Sequence, residues 1–278
     1  MPTHGLKHVV AAARRVLAVR PSGLLADIDG TLSPIAPTPD AARVPDRIKR
    51  AVAILAERLD LVAVVTGRGV ADARGLVQTE QIGYVGNHGL ERWQAGQIEI
   101  HPLAEPYVSK IAATMRALAA SVEVSGLLFE DKGASASIHY RLAPDTDLAR
   151  SRLLGAIEQL PDAAGLRLVE GRMVLNLLPP VDIDKGTAVA ELAAQHRLRG
   201  AVFLGDDLTD LDAIRALASL RAARGLAALS IAVRAPETPS EVIDAAGAVV
   251  DGVDEVGLLL ETLAAATPSS ESVGATTA

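Results

Sequence analysis

The stretch LLADIDGTL, residues 24–32, decides how the rest of this chain is interpreted. Its apolar half is typical of a buried strand in a parallel sheet, and that strand ends at two carboxylates, Asp27 and Asp29. Because side chains alternate along a strand, both acids are expected on the same side of the strand end. Two acids beside an apolar core are costly unless a cation or a reaction needs them. The stretch therefore predicts a sheet and a functional site at its edge.

The segments on either side of this stretch alternate between strand-like and helix-like patterns. Such alternation is typical of an α/β fold built on a parallel sheet. An amphipathic helix is predicted within residues 1–20, before the first strand. The predicted core strands are 24–26, 61–65, 82–85, 201–204, 229–233 and 248–250, and the predicted helices between them are 44–58, 67–77, 184–196 and 210–220.

The middle of the chain has a different pattern, with shorter strands whose residues alternate between polar and apolar. That alternation predicts an open sheet with one wet face and helices on the other, inserted as a smaller α/β unit into the first. We therefore predict core residues at 1–91 and 178–266 and an inserted unit at 92–177. The polar stretch 267–278 is predicted to be a disordered tail.

Composition excludes several classes of function. The chain has 278 residues, of which 49% are hydrophobic and 2% aromatic, and its net charge is −7. This acidic, aromatic-poor composition argues against a nucleic-acid partner. No uncharged apolar run approaches the roughly 20 residues that span a bilayer, and no signal peptide is apparent, so we expect no membrane partner and a cytoplasmic location. The absence of cysteine excludes a thiolate nucleophile or metal ligand.

Four polar motifs lie at the ends of predicted strands or at the start of a predicted helix. Besides Asp27 and Asp29, they are Thr66-Gly67 after a strand, Lys185 at a helix start, and the acidic run GDDLTD at 205–210. Ligands of open α/β sheets bind at the carboxyl ends of the strands, so these motifs are expected to converge. A carboxylate can attack phosphorus, a second can move the proton, and others can hold Mg²⁺. Each motif alone could be a turn or a helix cap, but the set in this order indicates phosphoryl transfer.

The set DIDGTL, VVTGR, Lys185 and GDDLTD resembles the motifs of the haloacid dehalogenase superfamily of phosphohydrolases. The resemblance implies a Rossmann-like parallel-sheet hydrolase core with an inserted α/β cap domain. It implies Asp27 as nucleophile and Asp29 as general acid/base, with Thr66, Gly67 and Lys185 binding the phosphoryl group. For Mg²⁺ it implies a set formed by Asp27, the backbone carbonyl of Asp29, and Asp206, supported by Asp207 and Asp210.

Three further stretches resemble the trehalose-6-phosphate phosphatases within that superfamily: GNHGLE at 86–91, FEDKGAS at 129–135 and HYR at 139–141. This resemblance implies that Glu130 and Lys132 present a carboxylate and an ammonium to sugar hydroxyls. It extends the substrate-binding set to Arg68, His88, His139, Arg141 and Asn176. It also raises a functional link to a trehalose-6-phosphate synthase.

One stretch departs from the family pattern. Asn176 and Leu178 stand where the family usually has Glu and Arg. An amide can still hydrogen-bond to hydroxyls but carries no charge. Trehalose 6-phosphate is therefore the expected substrate, and another sugar phosphate is the alternative.

Two other classes of protein were compared with the enzyme. A receiver-type signalling domain has its motifs in a different order. A catalytically silent sensor would be marked by loss of Asp27 or Asp29, both of which are present.

Overall fold

A computed structural model of the chain describes residues 5–171 and 173–266, which form two compact units. The first comprises residues 5–89 and 183–266, and the second residues 90–182. The predicted insertion at 92–177 lies within the second unit, whereas the predicted tail at 267–278 lies outside the described residues. Among the residues described, no helix is long and apolar enough to cross a membrane.

The secondary structure alternates as the sequence pattern predicts. The strands are β1 (Ser22–Ala26), β2 (Leu61–Val65), β3 (Gly83–Gly86), β4 (Glu91–Gln94), β5 (Gln97–Ile100), β6 (Leu128–Asp131), β7 (Ala136–His139), β8 (Arg167–Gly171), β9 (Val174–Leu178), β10 (Gly200–Gly205), β11 (Ala227–Arg234) and β12 (Ala248–Asp251). The helices are α1 (Leu6–Leu17), α2 (Asp46–Ala56), α3 (Val70–Val77), α4 (Val108–Ser121), α5 (Thr146–Gln159), α6 (Lys185–Gln195), α7 (Asp210–Arg224), α8 (Ser240–Ala245) and α9 (Gly252–Ala266).

The first unit is built on parallel strands in the order β12-β11-β10-β1-β2-β3. Strands β1, β2 and β10 are buried along their whole length, because helices cover both faces of the sheet. Residues of α6, α7 and α8 form one core with the sheet, and α1, α2 and α9 pack on the other side. In β1, Ala26 is in register with Val64 of β2 and Leu204 of β10, so these three strands end together.

The second unit is an antiparallel sheet in the order β6-β7-β9-β8, together with the hairpin of β4 and β5. Alternate residues of the sheet, among them Ile138 and Leu175, form a core with Ile111 and Leu118 of α4 and Leu153 of α5. The opposite face carries polar residues together with apolar ones, namely Glu130, Ser137, His139, Asn176, Val169 and Leu178. The helices lie on one face as expected, but the opposite face is only partly wet, because Ser137 and Asn176 at its centre are buried.

The predicted α/β fold, with a parallel-sheet core and an inserted smaller unit, is confirmed. Individual boundaries differ. The helix predicted at 44–58 begins at Asp46, because Pro45 has an extended ψ of 139°. The helix predicted at 67–77 begins at Val70, because residues 66–69 form a loop. Helix α9 was not predicted, although the 3-4 spacing of Val256, Leu259, Leu260 and Leu263, all buried, is a helical signal.

Candidate active site

The shared register of the central strands brings the predicted polar motifs to one edge of the sheet. Asp27 directly follows β1, Thr66 follows β2 and Asp206 follows β10. The ladder continues for one residue past β1 and β2, since the Asp27 N–H donates to Leu204 and the Thr66 N–H donates to Val85. Each side chain therefore leaves the sheet from backbone that is already hydrogen-bonded. This rigid support suits a site that needs fixed geometry.

Three carboxylates and one ammonium form the centre of the site. Carboxylate oxygens of Asp27, Asp206 and Asp210 lie within 4.8 Å of one another. The Nζ of Lys185 lies 3.1 Å from Oδ2 of Asp27 and 2.8 Å from Oδ1 of Asp210. All four side chains are buried. When all are ionised, the cluster has two more negative than positive charges, which favours a bound cation.

Burial and charge act in opposite directions on Asp27 and on Lys185. Burial raises the pKa of Asp27 to about 7, although the Lys185 ammonium acts in the opposite direction. Burial also disfavours the ammonium of Lys185, but the carboxylates of Asp210 and Asp27 outweigh that effect and raise its pKa. Oδ1 of Asp27 is buried without a hydrogen-bond partner among the described residues. A hard cation would satisfy this oxygen and favour the ionised carboxylate.

Backbone and side-chain donors hold the acids of the cluster in place. Oδ2 of Asp210 accepts hydrogen bonds from the backbone N–H groups of Asp206 and Asp207, at 2.9 and 3.0 Å. The hydroxyl of Thr31 donates to Oδ1 of Asp206 at 3.1 Å. Gly30, with a φ of +80°, leaves room for Asp206, because a Cβ there would lie 2.1 Å from its Oδ2. The glycine of DIDGTL is thus required by the carboxylate of the last motif.

The second acid of the first motif has a different partner. Both carboxylate oxygens of Asp29 accept hydrogen bonds from Arg68, at 2.6 Å from Nε and 2.8 Å from Nη2. Nη1 of Arg68 donates to Asp72 and to the carbonyl of Pro39. Burial of Arg68 disfavours its charge, but Asp29 and Asp72 outweigh burial and raise the pKa of Arg68. Its donors are thus directed to protein groups.

A tight turn supports the loop after β2. The N–H of His88 donates to the carbonyl of Thr66, and the N–H of Asn87 donates to the carbonyl of Arg68. Asn87 and His88 have φ values of 49° and 58°, an uncommon conformation for residues with side chains. The imidazole of His88 lies against Gly67, where a Cβ would be 2.6 Å from Cε1. The TGR and NHG motifs therefore form one structural element.

Two predicted metal residues lie outside the carboxylate cluster. The carboxylate of Asp29 pairs with Arg68, and Oδ1 of Asp207 accepts from the N–H of Leu208. Within the described ranges 5–171 and 173–266, the candidate metal group consists of Asp27, Asp206 and Asp210.

In the second unit, the predicted sugar-binding residues Glu130 and Lys132 lie on the polar side of the sheet. Oε2 of Glu130 lies 2.9 Å from Nε2 of His139 and 3.6 Å from Nζ of Lys132. His139 ends β7, and Arg141 lies beyond that strand. Three predicted residues are therefore brought into one polar group.

Asn176 is engaged within the sheet. Its Oδ1 accepts a 2.7 Å hydrogen bond from Ser137, and its Nδ2 donates to the carbonyl of Val169 at 3.2 Å.

Ser137 and Asp72 are partners that the sequence analysis missed. The i,i+4 spacing of Arg68 and Asp72 is a signal that could have found the second. No local sequence signal predicts the hydrogen bond between Ser137 and Asn176, because the two residues are 39 positions apart.

Known proteins similar to this chain include several phosphatases. Residues 25–246 match the family model described as trehalose-phosphatase. A probable trehalose-phosphate phosphatase of Sinorhizobium fredii is 35% identical over 226 residues, covering 79% of this chain and 80% of the relative. An uncharacterized glycosyl hydrolase of Mycobacterium tuberculosis is 34% identical over 220 residues, which cover 75% of this chain but only 16% of that relative. The solved C-terminal domain of the C. albicans trehalose-6-phosphate phosphatase has the same fold, with a TM-score of 0.74, 21% identity, and coverage of 95% of this chain and 98% of that one.

Proposed function

Because this chain belongs to the trehalose-phosphatase family, we propose that it is a Mg²⁺-dependent phosphatase that hydrolyses trehalose 6-phosphate to trehalose and phosphate. The observation that carries the proposal is the contact of Lys185 with Asp27 inside a buried cluster of three carboxylates. A carboxylate at the end of a central strand, backed by an ammonium, suits attack on phosphorus. The location in the cytoplasm and the link to a synthase stay predictions from the sequence.

The donor set of the cluster fits Mg²⁺. We propose that Asp27, Asp206 and Asp210 hold the ion, since all three offer oxygen ligands and together carry excess negative charge. When bound, the ion would neutralise charge on the phosphoryl oxygens. The expected contributions of the Asp29 carbonyl and of Asp207 to the metal site stay predictions.

The proposed reaction has two steps. In the first, a carboxylate oxygen of Asp27 attacks phosphorus, and the bond from phosphorus to the sugar oxygen breaks. Protonated Asp29 gives its proton to that oxygen, so trehalose leaves as an alcohol and Asp27 carries the phosphoryl group. In the second step, water attacks phosphorus and gives a proton to Asp29, and the bond to Asp27 breaks. Phosphate is released and both carboxyl groups return to their starting states.

We propose that the residues after β2 and at the start of α6 bind the phosphoryl oxygens. The hydroxyl of Thr66 and the backbone N–H of Gly67 offer hydrogen bonds, and Lys185 offers positive charge. Lys185 is already oriented by Asp27 and Asp210, so its ammonium is in place before substrate arrives.

Sugar recognition is proposed for the polar side of the second unit. Glu130 can accept hydrogen bonds from hydroxyl groups and Lys132 can donate them, while His139 holds the Glu130 carboxylate. Arg141 and His88 stay predicted members of the substrate-binding set. For Asn176, the hydrogen bonds to Ser137 and Val169 support a role within the sheet.

That arrangement of Asn176 favours a second candidate function. An amide whose oxygen and nitrogen are both bonded to protein groups offers less to a sugar than a free carboxylate would. A phosphatase for another sugar phosphate of the same superfamily is therefore the alternative.

The test is a phosphate-release assay over a panel of sugar phosphates with Mg²⁺. We expect trehalose 6-phosphate to have the highest kcat/KM, and Asp27→Asn to reduce it by about 10³-fold or more, because the nucleophile is lost. Preference for a monosaccharide phosphate would overturn the substrate. Absence of phosphate release from every ester would overturn the phosphatase itself.

A further inference from the structure

We propose that Arg68 is a positioning residue that holds the Asp29 carboxylate in the orientation needed for proton transfer, and that Asp72 fixes Arg68 in turn. This inference rests on the proposed function, because that function makes Asp29 the group that moves the proton. It assigns Arg68 a task different from the substrate contact predicted from the sequence.

The hydrogen bonds of Arg68 leave little of its guanidinium for a ligand. Nε and Nη2 each donate to one oxygen of Asp29, and Nη1 donates to Asp72 and to the Pro39 carbonyl. Of the five N–H groups of an arginine, four are therefore used by the protein. The two parallel bonds to Asp29 fix the plane of its carboxylate as well as its position.

Exposure indicates which side of the pair faces a ligand. The side chain of Arg68 is 9% exposed, whereas that of Asp29 is 33% exposed. The guanidinium thus lies on the protein side of the carboxylate, and Asp29 keeps accessible surface for a leaving group. This arrangement fits a support behind an acid/base group better than a direct substrate contact.

The backbone of Arg68 is held as firmly as its side chain. Its N–H donates to Oγ1 of Thr66 at 3.3 Å, and its carbonyl accepts from the N–H of Asn87 at 2.8 Å. Asp72 lies one turn further along, in the first turn of α3. Hydrogen bonds of Arg68 thus connect three parts of the first unit: the loop after β2, helix α3 and Asp29.

The experiment compares two phosphate esters that differ in how much the leaving group needs a proton. Trehalose 6-phosphate releases an alkoxide that must be protonated, whereas p-nitrophenyl phosphate releases a stable phenolate. Arg68→Lys keeps the charge but cannot form the two parallel bonds. Because Asp29 takes the proton from water in the second step with both esters, the comparison is made on the first step alone, as the rate at which the alcohol or phenolate is released in a single turnover with excess enzyme. We expect that rate to fall by about 100-fold for trehalose 6-phosphate and by less than about threefold for the aryl ester, with the affinity for both little changed.

A double-mutant cycle tests whether Arg68 acts through Asp29. In the same single-turnover measurement, Asp29→Asn should give a selective loss like that of Arg68→Lys, and the double variant should be no worse than Asp29→Asn alone. Losses that multiply would show that Arg68 acts independently and would overturn the proposal. Equal losses of the single-turnover rate on both esters, or a change confined to substrate affinity, would also overturn it, because they indicate a structural or a substrate-binding role.

Two further variants keep the test decisive. If Arg68→Lys does not fold, Asp72→Asn replaces it and should give a smaller loss in the same selective direction. Arg74→Gln in the same helix is the matched control, because the ion-pair partner of Arg74 is the exposed Glu80, and it should leave both activities unchanged.

If trehalose 6-phosphate is not hydrolysed but another alkyl phosphate is, the substrate proposal fails and that ester serves for this test. If no alkyl phosphate is hydrolysed, the role of Arg68 is overturned as well.

Discussion

Among single residues, Lys185 shows most directly how burial and charge act together. Its ammonium lies between Asp27 and Asp210 and balances only one of the three buried carboxylates. An uncompensated buried charge costs several kcal/mol, so the cluster is expected to take up a cation. Replacing one of the three carboxylates should therefore weaken the binding of Mg²⁺ more than any other property of the site.

Replacement of Asp206 by Asn tests this consequence. The change keeps the shape but removes one charge and one oxygen ligand, so the rise in Tm produced by Mg²⁺ should disappear. A ligand at about 100 times its Kd stabilises by about 2.7 kcal/mol, which thermal unfolding with and without Mg²⁺ can measure. Asp244→Asn, an exposed acid of α8, is the control and should keep the full effect. A normal Mg²⁺ response in the Asp206 variant would contradict the proposed ligand set.

Glu130 allows a matching test for the second unit. Glu130→Ala should reduce trehalose 6-phosphate turnover by about 10-fold or more while leaving an aryl phosphate nearly unaffected, because only the sugar lacks its partner. Glu170→Ala is the control, since Glu170 lies in the same sheet but pairs with exposed Arg150. Parallel kcat/KM measurements decide the matter. Equal losses on both substrates would remove Glu130 from sugar recognition.

Between elements, the contact of α6 with α7 determines where Lys185 and Asp210 lie, since these residues begin the two helices. The helices approach so closely at Gly186 that a Cβ there would lie 2.5 Å from the backbone carbonyl oxygen of Asp212. Backbone cannot move aside as the end of a side chain can. The glycine after the lysine is therefore required by helix packing.

Gly186→Ala should force α6 away from α7. Overpacking of this kind costs about 1–3 kcal/mol of the free energy of unfolding, and turnover should fall because Lys185 moves with its helix. Gly155→Ala in α5 is the control, since its Cβ would meet nothing within 4 Å, and it should stabilise by about 0.5–1 kcal/mol. Urea unfolding of both variants gives the comparison. A Gly186→Ala variant as stable and active as the parent would contradict this account of the packing.

At the scale of the whole molecule, each unit has a core of its own. The core of the first unit includes Leu25 and Phe203, and that of the second includes Leu153 and Leu175. The proposed metal ligands belong to the first unit, and Glu130 and Lys132 belong to the second. Stability and function can therefore be changed separately in the two units.

Leu153→Ala should destabilise the second unit by about 2–5 kcal/mol, because it opens a cavity in that core. Mg²⁺ should still protect the first unit, since its ligands are untouched. Hydrogen exchange followed peptide by peptide can separate the two effects. Faster exchange confined to residues 90–182, with Mg²⁺ protection retained elsewhere, is the expected result. Uniform acceleration throughout the chain would show that the units are not independent in stability.

The sequence by itself determined the strand pattern and the residues at the strand ends. Apolar runs followed by Asp27, Thr66 and Asp206 are local signals, because strand period and strand ends follow from a few neighbouring residues. The convergence of these residues also followed from the general geometry of parallel sheets. Boundaries set by a single backbone angle, such as the start of α2 after Pro45, did not follow from periodicity.

Only the tertiary structure decided which distant groups meet. The family resemblance implied a substrate contact for Arg68 and for Asn176 and named no protein partner for either. In the structure, Arg68 donates to Asp29 and Asn176 accepts from Ser137, each 39 residues away along the chain. Such pairings depend on strand register and on close packing at glycines such as Gly30, which no local pattern encodes. The physical reason is that a side chain bonds to the nearest suitable partner in space, and packing of the whole unit determines which partner that is.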